Sequence, residues 1–311
     1  MSFSPDEDIP SLAGKVILVT GGNSGLGKET ILQLAKHEPR QIIMAARSQS
    51  RAEDAIKEIE IAVPGSRIAF LALDLSSFAS IKKAAASVLQ EYDRLDVLLN
   101  NAGLFGVPPG LTEDGYEMQF GSNHMGPALF TRLLLPLLEK TSELPDSDVR
   151  VIQLSSEGYK FAPKGGILFP RLRTEMAEIS GNARYAQSKL ANLYFIKSMA
   201  NRYPKIICVA LHPGVVNTGI VKNHLKRVPY LAWMFNIGIR LFFTDVQTGA
   251  LGQLWAATGR ADELESGAYY TPLKKRICGV DLVNDDALAE KLWEWTEKQF
   301  VSCGLFIGPL V

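Results

Sequence analysis

Cysteine is scarce: the three residues Cys208, Cys278 and Cys303 are odd in number and lie far apart. That pattern excludes a disulfide framework or a zinc knuckle and points to a reducing compartment. The four histidines are scattered without ligand spacing, so no metal site is expected. Charge of neither sign is in excess. The 33 Lys and Arg balance the 33 Asp and Glu, with no basic block, which argues against nucleic acid as a partner. The N-terminus, Met-Ser-Phe-Ser-Pro-Asp-Glu-Asp-Ile-Pro, lacks the basic start and apolar centre of a signal peptide. The most apolar surface candidate, 228–243, falls short of the ~20 residues of a membrane span and carries Asn236 and Arg240. A cytoplasmic protein is expected, with peripheral membrane contact through that stretch as the minor alternative. Internal repeats and low-complexity segments are also missing.

What is present is a chain of 311 residues that is 47% apolar, enough for one large α/β domain or two small ones. A β-rich run, Lys15-Val-Ile-Leu-Val-Thr20, leads directly into Thr20-Gly-Gly-Asn-Ser-Gly-Leu-Gly27, and a helical pattern follows to Lys36. Strand, glycine loop and helix in that order form a dinucleotide site. Glycines let the backbone approach a pyrophosphate, and the helix N-terminus offers N–H donors and a positive dipole end. The loop residues concerned are Gly21, Asn23, Ser24, Gly25, Leu26 and Gly27. Their glycine spacing differs from the commoner GxGxxG.

The second strand, 41–47, ends about 20 residues past the loop, where a carboxylate would hold the ribose 2′-hydroxyl. Here Ala46 and Arg47 stand instead. A guanidinium pairs with a 2′-phosphate, so NADP(H) is favoured over NAD(H). Helix and strand then alternate: helix 50–62, strand 67–73, helix 77–92, strand 95–100, a helix over 113–140 with a kink expected at Pro127, and strand 149–154. Asp74 and Leu75 end the third strand, where they meet an adenine. Asn101, Ala102 and Gly103 follow the fourth, small enough for backbone to pass close to the cofactor. This alternation predicts an α/β fold with a doubly wound parallel sheet and sites at the strand C-termini.

Tyr185-Ala-Gln-Ser-Lys189 lies in a helical pattern that puts Tyr185 and Lys189 on one face, one turn apart. An ammonium beside a phenol favours the phenolate and brings it toward the working range of a proton-transfer catalyst. Tyr270-Thr-Pro-Leu-Lys274 has the same spacing, but Pro272 removes the helix that would align it.

The set Thr20-Gly-x-x-x-Gly-x-Gly27, Asn100-Asn-Ala-Gly103, Asn123, Ser155-Ser156, Tyr185-x-x-x-Lys189 and His212-Pro-Gly214 resembles the short-chain dehydrogenase/reductases, in their order and rough spacing. Retinol-dehydrogenase-like and fungal-type carbonyl reductase members look nearest, over roughly residues 14–220. The resemblance implies a single-domain Rossmann fold with a sheet of about seven strands and hydride transfer between NAD(P) and an alcohol/carbonyl pair. It implies that Tyr185 is the proton donor or acceptor and that Lys189 lowers its pKa and binds the nicotinamide ribose. Ser156, rather than Ser155, would bond the reacting oxygen, and Asn123 would hold a water linking Lys189 to solvent. Pro213, Gly214, Val216 and Thr218 match the segment that grips the nicotinamide carboxamide.

Outside those motifs, 1–13 reads as a polar extension, 217–245 as a substrate lid and 301–311 as an apolar tail. Tyr159, Phe161, Ile167, Leu168 and Phe169, between Ser156 and Tyr185, either border a bulky, weakly polar small-molecule substrate or simply pack the fold. His224, Lys226 and Arg227 meet an acidic group or form a solvated face. Monomer and homodimer are both open. A redox-neutral dehydratase, epimerase or cyclase on the same scaffold is the alternative function, and a non-catalytic NADP sensor a weaker one.

Overall fold

The structure, a computed structural model, describes residues 3–216, 244–277 and 282–305. Within these, the parallel strands are β1 (Val16–Thr20), β2 (Gln41–Ala46), β3 (Ile68–Ala72), β4 (Val97–Asn100), β5 (Val149–Leu154), β6 (Ile206–Leu211) and β7 (Tyr269–Thr271). A short β8 (Lys275–Arg276) pairs antiparallel with β7. It is the one strand beyond the expected seven. Leu273 and Lys274 adopt φ of 51° and 68° and turn the chain back on itself, so the Tyr270–Lys274 spacing lies in a hairpin rather than a helix.

The strand order is β3-β2-β1-β4-β5-β6-β7-β8. Because β1, β2, β4, β5 and β6 are buried on both faces, they read as largely apolar runs. Val16 and Leu18 enter one core cluster and Ile17 and Val19 the other; Val149 and Val151 part from Ile152 and Leu154 in the same way.

The helices are α1 (Pro5–Asp8), α2 (Gly25–Ala35), α3 (Gln49–Ala62), α4 (Phe78–Glu91), α5 (Met118–Phe120), α6 (Gly126–Ser142), α7 (Gly181–Arg202), α8 (Val246–Thr258) and α9 (Asp286–Ser302). Helices α2, α3 and α8 supply one cluster; α4, α6, α7 and α9 supply the other. Ser48, Ser77, Ser180, Asp245 and Asp285 each accept a backbone N–H of the first turn, which fixes where those helices begin.

In the N-terminal extension, Phe3, Ile9 and Leu12 are buried in the α2/α3/α8 cluster. The expected helix over 113–140 begins instead at Met118, capped by the Glu117 carboxylate. Its irregularity is a π-helical turn, Gly121–Met125, just ahead of Pro127. Proline has no N–H for the regular bond and crowds the preceding turn, so the chain widens there instead of kinking at the ring. No helix among the described residues is long and apolar enough to cross a membrane. The proposed lid, 217–245, lies outside the described residues except for Thr244 and Asp245; His224, Lys226, Arg227 and the tail beyond Leu305 lie outside them altogether.

Candidate active site

The strand order reverses between β1 and β4, which opens a crevice at their C-terminal ends. Gly21 and Gly25 take φ of +66° and +52°, and a Cβ on Gly27 would stand 2.5 Å from the Gly21 carbonyl oxygen and 2.6 Å from Asn101 Nδ2. Only glycine permits that turn. The Asn101 amide donates to the Thr20 carbonyl at 2.8 Å, and the Ala102 N–H donates to Thr20 Oγ1 at 3.0 Å. These bonds lock the β1 and β4 ends together. Ser24 precedes α2 in extended backbone and makes no side-chain bond onto its first turn. The leading N–H groups of that helix therefore face the loop, where an anion fits.

Around this loop, Asn23 and Leu26 are half-buried and Ser24 and Arg47 exposed, Arg47 standing just past the end of β2. Asp74 is half-buried; its Oδ1 accepts from the Ser76 N–H and hydroxyl. Leu75 is buried, and its carbonyl packs so closely on α6 that a Cβ at Gly126 would lie 2.3 Å away. At the end of β6, Gly214 has φ of +90°, and Val216 bridges to Thr244 ahead of α8. Thr218 lies outside the described residues.

Helix α7 carries Tyr185 and Lys189 to this edge of the sheet. Ser156 Oγ accepts from the Gly158 N–H at 3.1 Å and lies on the same side of Gly158 as the Tyr185 ring edge, a Cβ there standing 3.3 Å from the one and 3.4 Å from the other. Ser155 turns the other way and donates to the Lys189 carbonyl at 2.8 Å, tying β5 to α7. Lys189 is buried; its Nζ donates to the Leu154 carbonyl at 2.9 Å and lies beside Gly103, whose Cβ would come within 3.4 Å of it. Burial lowers this ammonium to about 8.

One expectation for these groups changes. The phenol of Tyr185 is not pulled down: burial raises it to about 12, with the Ser156 hydrogen bond acting the other way. Lys189 Nζ is 5.6 Å from the Tyr185 ring centroid and directed to Leu154, so desolvation outweighs the charge. Asn123 has both amide hydrogens engaged, one on the Leu104 carbonyl at 2.9 Å and one on Ser188 Oγ at 3.0 Å, while its Oδ1 accepts from the Leu104 N–H at 2.6 Å. It braces the segment after β4 against α7, and its Oδ1, beside Gly103 like Lys189 Nζ, keeps a second lone pair.

A profile described as short chain dehydrogenase matches residues 15–169. An uncharacterised oxidoreductase of Schizosaccharomyces pombe is 38% identical, covering 94% of this chain and 87% of that one. This chain belongs to the short-chain dehydrogenase/reductase family. Retinol dehydrogenase 14 of Mus musculus is 37% identical over 91% of this chain and 85% of its own. The crystal structure of an uncharacterised protein from Mycobacterium paratuberculosis superposes with a TM-score of 0.74 at 26% identity, covering 96% and 97% of the two chains. The protein is thus a short-chain oxidoreductase that resembles the retinol-dehydrogenase-like members.

In this short-chain dehydrogenase/reductase, the Gly27 cradle, the open first turn of α2 and the backbone beside Gly103 fit the family's dinucleotide. Of the segment between Ser156 and Tyr185, Tyr159 and Ile167 are core residues and Phe169 packs on Trp295 with ring centroids 5.9 Å apart. Leu168 and Phe169 are half-buried, and Phe161 alone of the five stands exposed, at 72%.

Other residues escaped sequence reading. Ser188 accepts from Asn123 and donates to the Tyr185 carbonyl at 2.7 Å. Asn192 shares the Leu154 carbonyl with Lys189, at 3.1 Å. Arg184 and Glu117 form a buried ion pair at 2.8 Å. Asn192 lies three residues after Lys189, a helical spacing that was readable; the partner of Arg184, 67 residues away, was not.

Proposed function

We propose that this oxidoreductase is an NADP(H)-dependent carbonyl reductase or alcohol dehydrogenase acting on a bulky, mostly apolar small molecule. The observation that carries the reading is that Ser156 and Tyr185 meet beside Gly158 while Lys189, one turn along the same helix, reaches the backbone of Gly103. Gly21, Asn23, Ser24, Gly25, Leu26 and Gly27 would hold the pyrophosphate side of the dinucleotide. Arg47 would hold its 2′-phosphate, Asp74 and Leu75 its adenine, and Asn101, Ala102, Gly103, Pro213, Gly214 and Val216 the remainder, with Thr218 assigned by family resemblance alone. When bound, the nicotinamide supplies or receives the hydride.

The chain's own residues handle the proton and the geometry. With its phenol raised to about 12, Tyr185 keeps its proton through the neutral range and is a donor to a carbonyl oxygen. Ser156, beside the same side chain, would orient that oxygen. Lys189 places a positive charge in a low-dielectric site at the edge of Gly103, where developing negative charge is stabilised more strongly than in water. Asn123 and Ser188 keep the segment after β4 and the start of α7 in register.

The test is Tyr185→Phe assayed with NADPH and a panel of bulky carbonyls. NADPH binding, followed by fluorescence, is expected to persist while turnover falls by at least about 10²-fold, the scale of lost general-acid catalysis. A Tyr185→Phe variant with full turnover contradicts the assignment.

A further inference from the structure

Segment 104–107, between β4 and α5, is fixed by backbone ties. Asn123 holds Leu104 through two hydrogen bonds, Gln119 Oε1 accepts from the Gly106 N–H at 3.1 Å, and Arg184 Nη2 donates to the Val107 carbonyl at 3.1 Å. Arg184 is itself anchored to the buried Glu117 carboxylate. The Phe105 side chain takes no part in these bonds. Half-buried, it lies against Tyr185 with ring centroids 4.8 Å apart at 74°. At the Cδ1–Cε1 edge of Tyr185 lies Gly158. A Cβ on Gly158 would stand 3.3 Å from Ser156 Oγ and 3.4 Å from Tyr185 Cε1, and glycine supplies none. The Tyr185 ring thus has a phenyl ring on a braced backbone segment against it and Gly158 at its Cδ1–Cε1 edge.

We infer that Phe105 is a specificity-determining residue of this site, an aromatic wall that favours carbonyls bearing an aryl ring over saturated carbonyls of equal size. The inference rests on the carbonyl-reductase reading. A carbonyl that accepts from Tyr185 and Ser156 brings its substituents alongside the ring that packs on Tyr185. A flat aromatic substituent gains the edge-to-face or offset attraction of an aromatic pair beyond its buried area; a saturated ring of the same size gains only the area. That difference corresponds to about two- to tenfold in kcat/KM.

The experiment measures kcat/KM with NADPH for methyl phenyl ketone and methyl cyclohexyl ketone, in the wild type, Phe105→Leu and Phe105→Tyr. Each ketone's intrinsic reactivity cancels when the phenyl-to-cyclohexyl ratio is compared between proteins. Circular dichroism and NADPH titration establish that the variants are folded. Phe105→Leu is expected to lower the ratio about two- to tenfold, mainly through KM for the phenyl ketone, and Phe105→Tyr to restore it. An unchanged ratio, or an equal loss on both ketones, overturns the assignment of Phe105 while leaving the reductase reading intact. Reduction of neither ketone nor any other carbonyl by a wild type that binds NADPH overturns both.

Discussion

Replacing Lys189 with methionine is expected to make the protein more stable and inactive. Lys189 is 3% exposed, and burial depresses its pKa from 10.5 to about 8. Below pH 8 both the folded and unfolded chains carry the charge, and folding has to desolvate it. The depression corresponds to about 3 kcal/mol, at roughly 1.4 kcal/mol for each pH unit. Methionine has a similar reach and volume and no charge. The Leu154 carbonyl keeps a donor in Asn192 Nδ2 at 3.1 Å, so no acceptor is orphaned. Subtracting about 1 kcal/mol for the lost Lys189 hydrogen bond leaves a net gain of about 2 kcal/mol at pH 7. That is a rise of a few degrees in Tm.

The pH dependence is a second, independent signature. Between about 8 and 10.5 the folded wild type has lost this proton and the unfolded chain has not. Wild-type stability therefore gains a contribution that grows with pH across that window, and Lys189→Met lacks it. The assay is urea or thermal unfolding of both proteins from pH 6 to 10. A variant that melts below the wild type at pH 7 and shows the same pH slope would refute the view of Lys189 as a charge held at a cost to stability.

Two further predictions concern the dinucleotide. Gly27→Ala places a methyl 2.5 Å from the Gly21 carbonyl oxygen. The loop has to move, so NADPH affinity is expected to fall at least tenfold by fluorescence titration, with about 1–3 kcal/mol of stability lost. Arg47→Asp replaces the proposed 2′-phosphate partner with a repelling charge; the ratio of NADPH to NADH affinity is expected to fall about 10- to 100-fold, the scale of a charged hydrogen bond. An unchanged ratio assigns the 2′-phosphate, if it is bound, to other residues.

Local chemistry was legible. The glycine loop after β1 needs backbone conformations and close approaches that glycine alone provides, so its positions are written in residue type. The helix through Tyr185 and Lys189 has local spacing and a Ser180 cap. Pro272 was enough to separate Tyr270–Lys274 from it. Asp245 and Asp285 mark helix starts in the same way.

What stayed hidden depends on contacts distant in the chain. Nothing adjacent to Lys189 announces that its ammonium meets the carbonyl of Leu154, 35 residues earlier. The downward shift expected for Tyr185 assumed that an i,i+4 neighbour directs its charge at the hydroxyl; burial and a competing carbonyl decide otherwise. The π-helical turn at Gly121–Met125 follows from Pro127, but its consequence, turning Asn123 onto Leu104 and Ser188, needs the tertiary fold. Tyr159 and Ile167 show the limit of composition: an aromatic or aliphatic side chain near a site reads the same whether it faces a ligand or the core.

The central claim is that hydride passes between nicotinamide and a carbonyl carbon at Tyr185. Its most direct test is reduction of a ketone substrate with NADPH deuterated at the transferred position of C4, followed by mass spectrometry of the product. The account predicts an alcohol one deuterium heavier and an equimolar amount of NADP⁺. Product formed without deuterium, with the labelled cofactor recovered unchanged, would contradict it and establish redox-neutral chemistry on this scaffold.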